Sequence, residues 1–222
     1  MLRVNHLSCS YVNESETKVV VKDANFTLED GKIYDLTGPS GSGKSTILKA
    51  LAKLIPRDSG EFILDGKNSK EIKNTIWRRE VCLFMQTTSL IDASVLENLL
   101  LPFSYKVRQN SHVPNQGEMR EVLDALLLED VDLEHNAHKL SGGQQARIAF
   151  ARNYLTKPKV MLLDEVDASL DSKSADALWE LVDRAARKGA SVLRIRHKDD
   201  DGRGYRRFYI NNAKLEELDR HE

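Results

Sequence analysis

Gly38-Pro39-Ser40-Gly41-Ser42-Gly43-Lys44-Ser45-Thr46 follows an apolar run at 33–37 and precedes apolar residues at Ile47, Leu48, Leu51 and Leu54. The run has the composition of a buried strand, and the later spacing is that of a helix. Between them stands the pattern G-x-x-x-x-G-K-[ST], filled by Gly38, Gly43, Lys44 and Ser45. Glycines let the backbone curl so that several N–H groups face one anion. The positive end of the following helix faces the same point. Lys44 has the reach for β and γ phosphates, and the Ser45 hydroxyl suits Mg²⁺. A chance Gly/Ser-rich turn lacks this strand-before, helix-after context.

Farther along, Val160-Met161-Leu162-Leu163 runs into Asp164-Glu165. This reads as an apolar strand ending in two carboxylates. A strand aims successive side chains at opposite faces, so the two acids are expected to have different roles. Asp164 suits a Mg²⁺ contact, and Glu165 suits polarising an attacking water. Further continuous apolar strands are read at 81–85 and 191–195, of the kind buried on both faces. Shorter β-rich runs lie at 19–21, 25–28 and 61–64, the last entering a turn at Asp65-Gly66. A final edge strand is read at 207–210. Helices fit 44–54, 117–128, 142–155 and 172–188, the last with Asp171 as N-cap and Gly189 as stop. Residues 87–157 show no core strand.

Strands alternating with helices predict an α/β fold: a P-loop NTPase sandwich with a largely parallel core sheet and an antiparallel β portion. A helical subdomain, about 87–157, is inserted into a single domain spanning 1–222. The 222 residues, 41% of them hydrophobic, suffice for one large core. A formal net charge of −1 gives no general attraction to nucleic acid, and no nucleic-acid partner is expected. No run approaches the ~18 apolar residues of a membrane span, and the N-terminus has no secretory pattern. Cys9 and Cys82 lie in no ligand pattern and suit a reducing cytosol. His135 and His138 lack the further ligands of a recognisable metal set.

Leu140-Ser141-Gly142-Gly143-Gln144, followed by Gln145-Ala146-Arg147-Ile148-Ala149, places a second group of hydroxyl and glycine N–H groups at a helix start. This segment resembles the signature motif of ATP-binding cassette (ABC) ATPases. The resemblance implies a head-to-tail dimer in which each ATP lies between the phosphate loop of one copy and Ser141, Gly142, Gly143 and Gln144 of the other. The partner is thus a second copy of this chain, and two sites related by C₂ symmetry follow.

Other family motifs fall in order along nearly the whole chain. Tyr11 matches the aromatic that stacks on adenine. Gln86 matches the glutamine that touches Mg²⁺ and the attacking water. Asp171, in Ala168-Ser169-Leu170-Asp171, matches the loop that crosses the dimer interface. His197 matches the histidine that contacts the γ-phosphate. The resemblance thus implies Glu165, His197, Gln86 and Lys44 as catalytic residues, with Ser45, Gln86 and Asp164 at Mg²⁺. Three departures stand out. Val166-Asp167 replaces the frequent Pro-Thr, Arg194 and Arg196 replace small or apolar residues, and Lys198 replaces a common Asp.

Two roles follow for such an ATPase. One is the energising subunit of a bacterial ABC transporter, cytoplasmic and attached to the inner membrane face through an integral-membrane permease. The permease would dock along Gln86 to Leu101. The other is a soluble ABC ATPase serving a non-membrane partner such as a cofactor-assembly complex. One cassette, no long coiled-coil insertion and no expected regulatory domain after the last strand favour transport. Gln86-Thr87-Thr88-Ser89-Leu90 and Leu96-Glu97-Asn98-Leu99-Leu100-Leu101-Pro102-Phe103 are similar to compact ATPase subunits of the iron-export type.

Overall fold

The computed structural model describes residues 1–12, 17–85, 89–195 and 201–218. Two compact units emerge: 1–83 with 159–165 and 186–222, and 84–158 with 166–185.

The first unit contains two sheets. In the antiparallel sheet, β1 (Leu2–Val12) lies between β2 (Thr17–Leu28) and β4 (Ser59–Leu64), and β5 (Lys67–Asn68) pairs with β4. The other sheet has the order β10-β9-β3-β8-β7-β6. Its strands are β3 (Ile33–Thr37), β6 (Val81–Phe84), β7 (Val160–Asp164), β8 (Ser191–Ile195), β9 (Arg206–Asn211) and β10 (Lys214–Leu218). β9, β3, β8 and β7 are mutually parallel, and β10 runs antiparallel to β9. Every residue of β7 and β8 is buried, the polar Asp164, Ser191 and Arg194 together with the apolar majority. Helix α1 (Lys44–Leu51) follows the phosphate loop, and α2 (Asn74–Glu80) precedes β6. Ile47, Leu48 and Leu51 of α1 join Leu162, Leu193 and Ile195 in one core with Leu36 and Phe208. Burial of such side chains contributes about 1.5–3 kcal/mol each.

The second unit is helical. It holds α3 (Val95–Leu100), α4 (Gln116–Ala125), α5 (Gly142–Tyr154) and most of α6 (Ser172–Arg187). Three of these begin with reciprocal caps: Ser94 with Glu97, Asn115 with Glu118, and Ser141 with Gln144. Each satisfies two backbone donors that a helix start leaves open.

Several sequence expectations change. The runs 19–21 and 25–28 are parts of one strand, β2, whose pairing with β1 shifts register three times. Strand β9 is not the sheet edge, because Asn212 and Ala213, at φ 47° and 62°, turn the chain into β10. Helix α1 stops at Leu51 rather than Leu54. Lys53 is left-handed at φ 54°, and Leu54 N–H donates to the Lys49 carbonyl at 2.9 Å. The turn at Asp65-Gly66 forms as expected, with φ 50° and 79°, and joins β4 to β5.

Candidate nucleotide site

The loop from Gly38 to Gly43 leaves the end of β3 and enters α1. Gly43 is the N-cap of α1 at φ 95°, and a β-carbon there would collide with Val20. Only glycine meets both demands. Gly38 is equally restricted, at φ 144° against the Ile210 carbonyl. The Lys44 ammonium donates to the Gly38 and Pro39 carbonyls at 2.9 and 3.0 Å, folding back along its own loop.

A cavity of about 370 Å³ opens over this loop. Its lining is Tyr11, Ser40, Gly41, Gly43, Lys44, Ser45, Thr46 and Glu165, which gathers residues from three distant places in the chain. Tyr11 comes from β1, the loop from between β3 and α1, and Glu165 from just beyond β7. An aromatic ring, an anion cradle and a carboxylate therefore share one hollow.

Beneath it, the Ser45 hydroxyl donates to Asp164 Oδ1 at 2.9 Å. Asp164 is 9% exposed. Burial pushes its carboxyl above the usual range, and the Ser45 hydrogen bond only partly offsets this. Two hard oxygens side by side, one carrying a desolvated charge, are the donor chemistry that Mg²⁺ takes.

The sign of that shift yields a prediction. A buried carboxyl with a raised folded-state pKa costs stability once pH passes its unfolded value, so the penalty grows from about pH 4 upward. Asp164→Asn keeps an acceptor for Ser45 and removes the charge. Its melting temperature at pH 7 is expected to rise by about 2–4 °C, with the gain vanishing near pH 4. Differential scanning fluorimetry without nucleotide or metal checks this, and a lower melting temperature at pH 7 contradicts it.

Glu165 alters one expectation. Strand alternation, continued through residue 165, would aim it at the face opposite Asp164. However, β7 ends at Asp164, and Glu165 is left-handed at φ 51° with its N–H donating to the Ile195 carbonyl at 3.3 Å. Alternation stops where the strand stops. Glu165 therefore enters the cavity above the Ser45–Asp164 pair. Positive φ at a side chain of this size is strained backbone, which clusters at working sites.

Ser141, Gly142, Gly143 and Gln144 form the start of α5 in the helical unit. Ser141 Oγ accepts from Gln144 N–H at 3.3 Å, and Gln144 Oε1 accepts from Ser141 N–H at 3.0 Å. The Ser141 O–H proton is still able to donate outward. Ser141 and Gly142 are exposed. Asp171 caps α6, accepting from the Ser174 N–H and hydroxyl at 3.0 and 2.8 Å. The backbone bond from Ser174 leads the interactions that hold its carboxyl below the usual range. Gln86 and His197 lie outside the described residues.

Lys18 went unrecognised in the sequence. It pairs with Tyr11 across β1 and β2, and its ammonium donates to the Gly41 carbonyl at 3.0 Å. The signal was the hairpin register, legible only once β1 is recognised as a strand.

A glycine loop between strand and helix, with lysine, hydroxyl and strand-end carboxylates, defines a P-loop nucleotide-binding protein. Residues 21–168 match the ABC transporter family model. The probable iron export ATP-binding protein FetA of Escherichia coli (strain K12) is 35% identical over 183 residues, 82% of this chain and 80% of that protein. The dimeric structure of MJ0796, a bacterial ABC transporter cassette, is 27% identical with a TM-score of 0.82, covering 99% of this chain and 98% of that one. A dimeric post-hydrolysis state of the same cassette, bound to ADP and Pi, matches with a TM-score of 0.79, 27% identity and the same coverage. The chain belongs to the ABC transporter family and is an ATP-binding, ATP-hydrolysing subunit. Among the described residues no helix is long and apolar enough to cross a membrane.

Proposed function

We propose that this chain powers an ABC transporter, closing head to tail with a second copy around two Mg²⁺-ATP molecules and opening after hydrolysis. The carrying observation is the division of the phosphate-binding groups. Tyr11, the glycine loop, Lys44, Ser45 and Glu165 share one cavity in the first unit, and Ser141 stands exposed at the start of α5 in the second.

In this reading Tyr11 faces adenine and the loop N–H groups receive the phosphates. The Lys44 ammonium leaves the Gly38 and Pro39 carbonyls for phosphate oxygens. Ser45, Asp164 and Gln86 hold Mg²⁺, which supplies charge neutralisation at the phosphates. Glu165 polarises water, and His197 contacts the γ-phosphate. Ser141, Gly142, Gly143 and Gln144 reach the ATP of the other copy, and Asp171 lies in the loop between them. An integral-membrane permease would hold the pair at the inner membrane face. The similarity to FetA makes the compact iron-export type the best-supported class.

Shared sites make turnover depend on encounter. The hydrolysis rate per chain is expected to rise steeply with chain concentration before saturating, and to vanish when EDTA removes Mg²⁺. Phosphate release measured across a dilution series checks this. A rate per chain independent of concentration down to the lowest detectable level contradicts it.

A further inference from the structure

Strand β2 overlies the phosphate loop at two points. The first is Val20, whose side chain fills the space a β-carbon on Gly43 would need. Cys9 pairs with Val21 and Ser10 with Val19, so Val20 is an extra residue in the pairing of β1 with β2, and it is buried. Such a bulge re-aims a side chain and is common beside working sites. The second point is Lys18, whose ammonium donates to the Gly41 carbonyl at 3.0 Å.

Lys18 is also the register partner of Tyr11. Residues directly opposite each other in an antiparallel pair project from the same face, with β-carbons about 4.5–5.5 Å apart. Tyr11 and Gly41 both line the cavity over the loop. Lys18 therefore has its base beside the ring read as facing adenine and its charge on the loop read as receiving the phosphates.

Strand β2 is an edge of the antiparallel sheet, where lysine commonly blocks further pairing. A guard of that kind keeps its ammonium in water, whereas that of Lys18 reaches the loop. Loop carbonyls are held by two ammonium groups: Gly38 and Pro39 by Lys44, and Gly41 by Lys18. A carbonyl offers a dipole, but a phosphate oxygen offers a full charge and takes an ammonium in preference. The flexible four-carbon stem of lysine allows that exchange while the strand stays in place. We infer that Lys18 is a further ATP-binding residue: its ammonium exchanges the Gly41 carbonyl for an oxygen of the phosphates that ATP and ADP share. The inference rests on the reading that places adenine at Tyr11.

The experiment compares Lys18→Gln, Lys18→Arg and Lys18→Ala in the full chain. It is read by equilibrium binding of fluorescent ATP and ADP with Mg²⁺, by steady-state hydrolysis and by thermal melting. Lys18→Gln keeps an N–H donor for the Gly41 carbonyl and removes the charge. It is expected to weaken ATP and ADP by the same factor, about tenfold, between the worth of an exposed ion pair and that of a hydrogen bond to a charged group. KM should rise in proportion while kcat stays within about twofold, as for binding energy spread evenly over ground and transition states. Lys18→Arg keeps the charge and should bind both nucleotides within about threefold of wild type. Lys18→Ala should match Lys18→Gln, and because Lys18 is exposed all three should melt within about 2 °C of wild type. Wild-type affinity in Lys18→Gln overturns the inference, and a loss confined to Lys18→Ala reduces Lys18 to a clamp on Gly41. A loss for ATP alone also overturns it, because the contact would then lie on the γ-phosphate. So does an equal loss in Lys18→Arg, because charge would not be what binds. Wild-type affinity in Tyr11→Ala is a separate failure, which removes the placement of adenine itself and the inference with it.

Discussion

Glu165→Gln should bind Mg²⁺-ATP as tightly as wild type, hydrolyse it about 10²- to 10⁴-fold more slowly, and accumulate as a dimer. Glu165 lines the cavity but is not part of the anion cradle, so its loss leaves phosphate binding intact. Its backbone, at φ 51°, carries strain that a simple surface acid does not need. Glutamine has nearly the same shape and keeps the hydrogen bonding, but it cannot polarise water as a carboxylate does. With hydrolysis blocked, the closed state has no route to opening. Size-exclusion chromatography with light scattering should show twice the monomer mass with Mg²⁺-ATP and the monomer with Mg²⁺-ADP. A variant that turns over within about threefold of wild type removes Glu165 from the chemistry.

Ser141→Arg should nearly abolish hydrolysis while leaving nucleotide binding by the single chain unchanged. Ser141 is exposed at the start of α5. Its cap to Gln144 is worth about 1 kcal/mol, so the helix survives the exchange. On the proposed head-to-tail reading, what disappears is a donor to the neighbouring copy's ATP, replaced by a bulky side chain in the interface. Loss of one such preorganised donor costs about 10²- to 10³-fold, and the steric block adds to it. Equilibrium binding of fluorescent ATP separates the two effects. Weaker binding by the monomer would place Ser141 in its own chain's site instead.

The site was legible in the sequence where chemistry restricts residue choice. A loop that requires glycine at φ 95° and 144°, followed by lysine and serine, leaves a pattern that few other structures demand. The capping pair of Ser141 and Gln144 is equally local. Legibility failed where the fold depends on distant pairing. In β1 the register shifts between Val4 and Leu7, between Leu7 and Cys9, and between Cys9 and Ser10. His6 there is left-handed at φ 53°. Those interruptions break the alternation that marks a strand, although Leu2, Val4, Leu7 and Cys9 are all fully buried. With β1 hidden, Lys18 had no reason to be placed beside the loop.

Strand β10 was missed because Lys214-Leu215-Glu216-Glu217-Leu218 is charged and largely exposed, as an edge strand that avoids further pairing should be. Helices α2 and α3, of 7 and 6 residues, are too short for a periodic signal. The Ser94 and Glu97 capping pair of α3 is a local signal that the sequence reading passed over. Arg194 was noticed as out of place in an apolar strand, but its partners Asp35 and Asp201 are far away or beyond the strand. Only the sheet register brings them together.

Mixing two inactive variants tests whether each ATP is shared. Lys44→Ala should lack a working phosphate loop, and Ser141→Arg should lack the group offered to the other copy. A mixed head-to-tail dimer has one site built from the intact Lys44 of one chain and the intact Ser141 of the other. Random pairing at equal concentrations leaves about a quarter of the sites whole. Hydrolysis should therefore recover to roughly a quarter of wild type on mixing, from near zero in either variant alone. If the mixture stays at the sum of its parents at concentrations where wild type is fully active, the two groups do not meet across copies and the shared site is wrong.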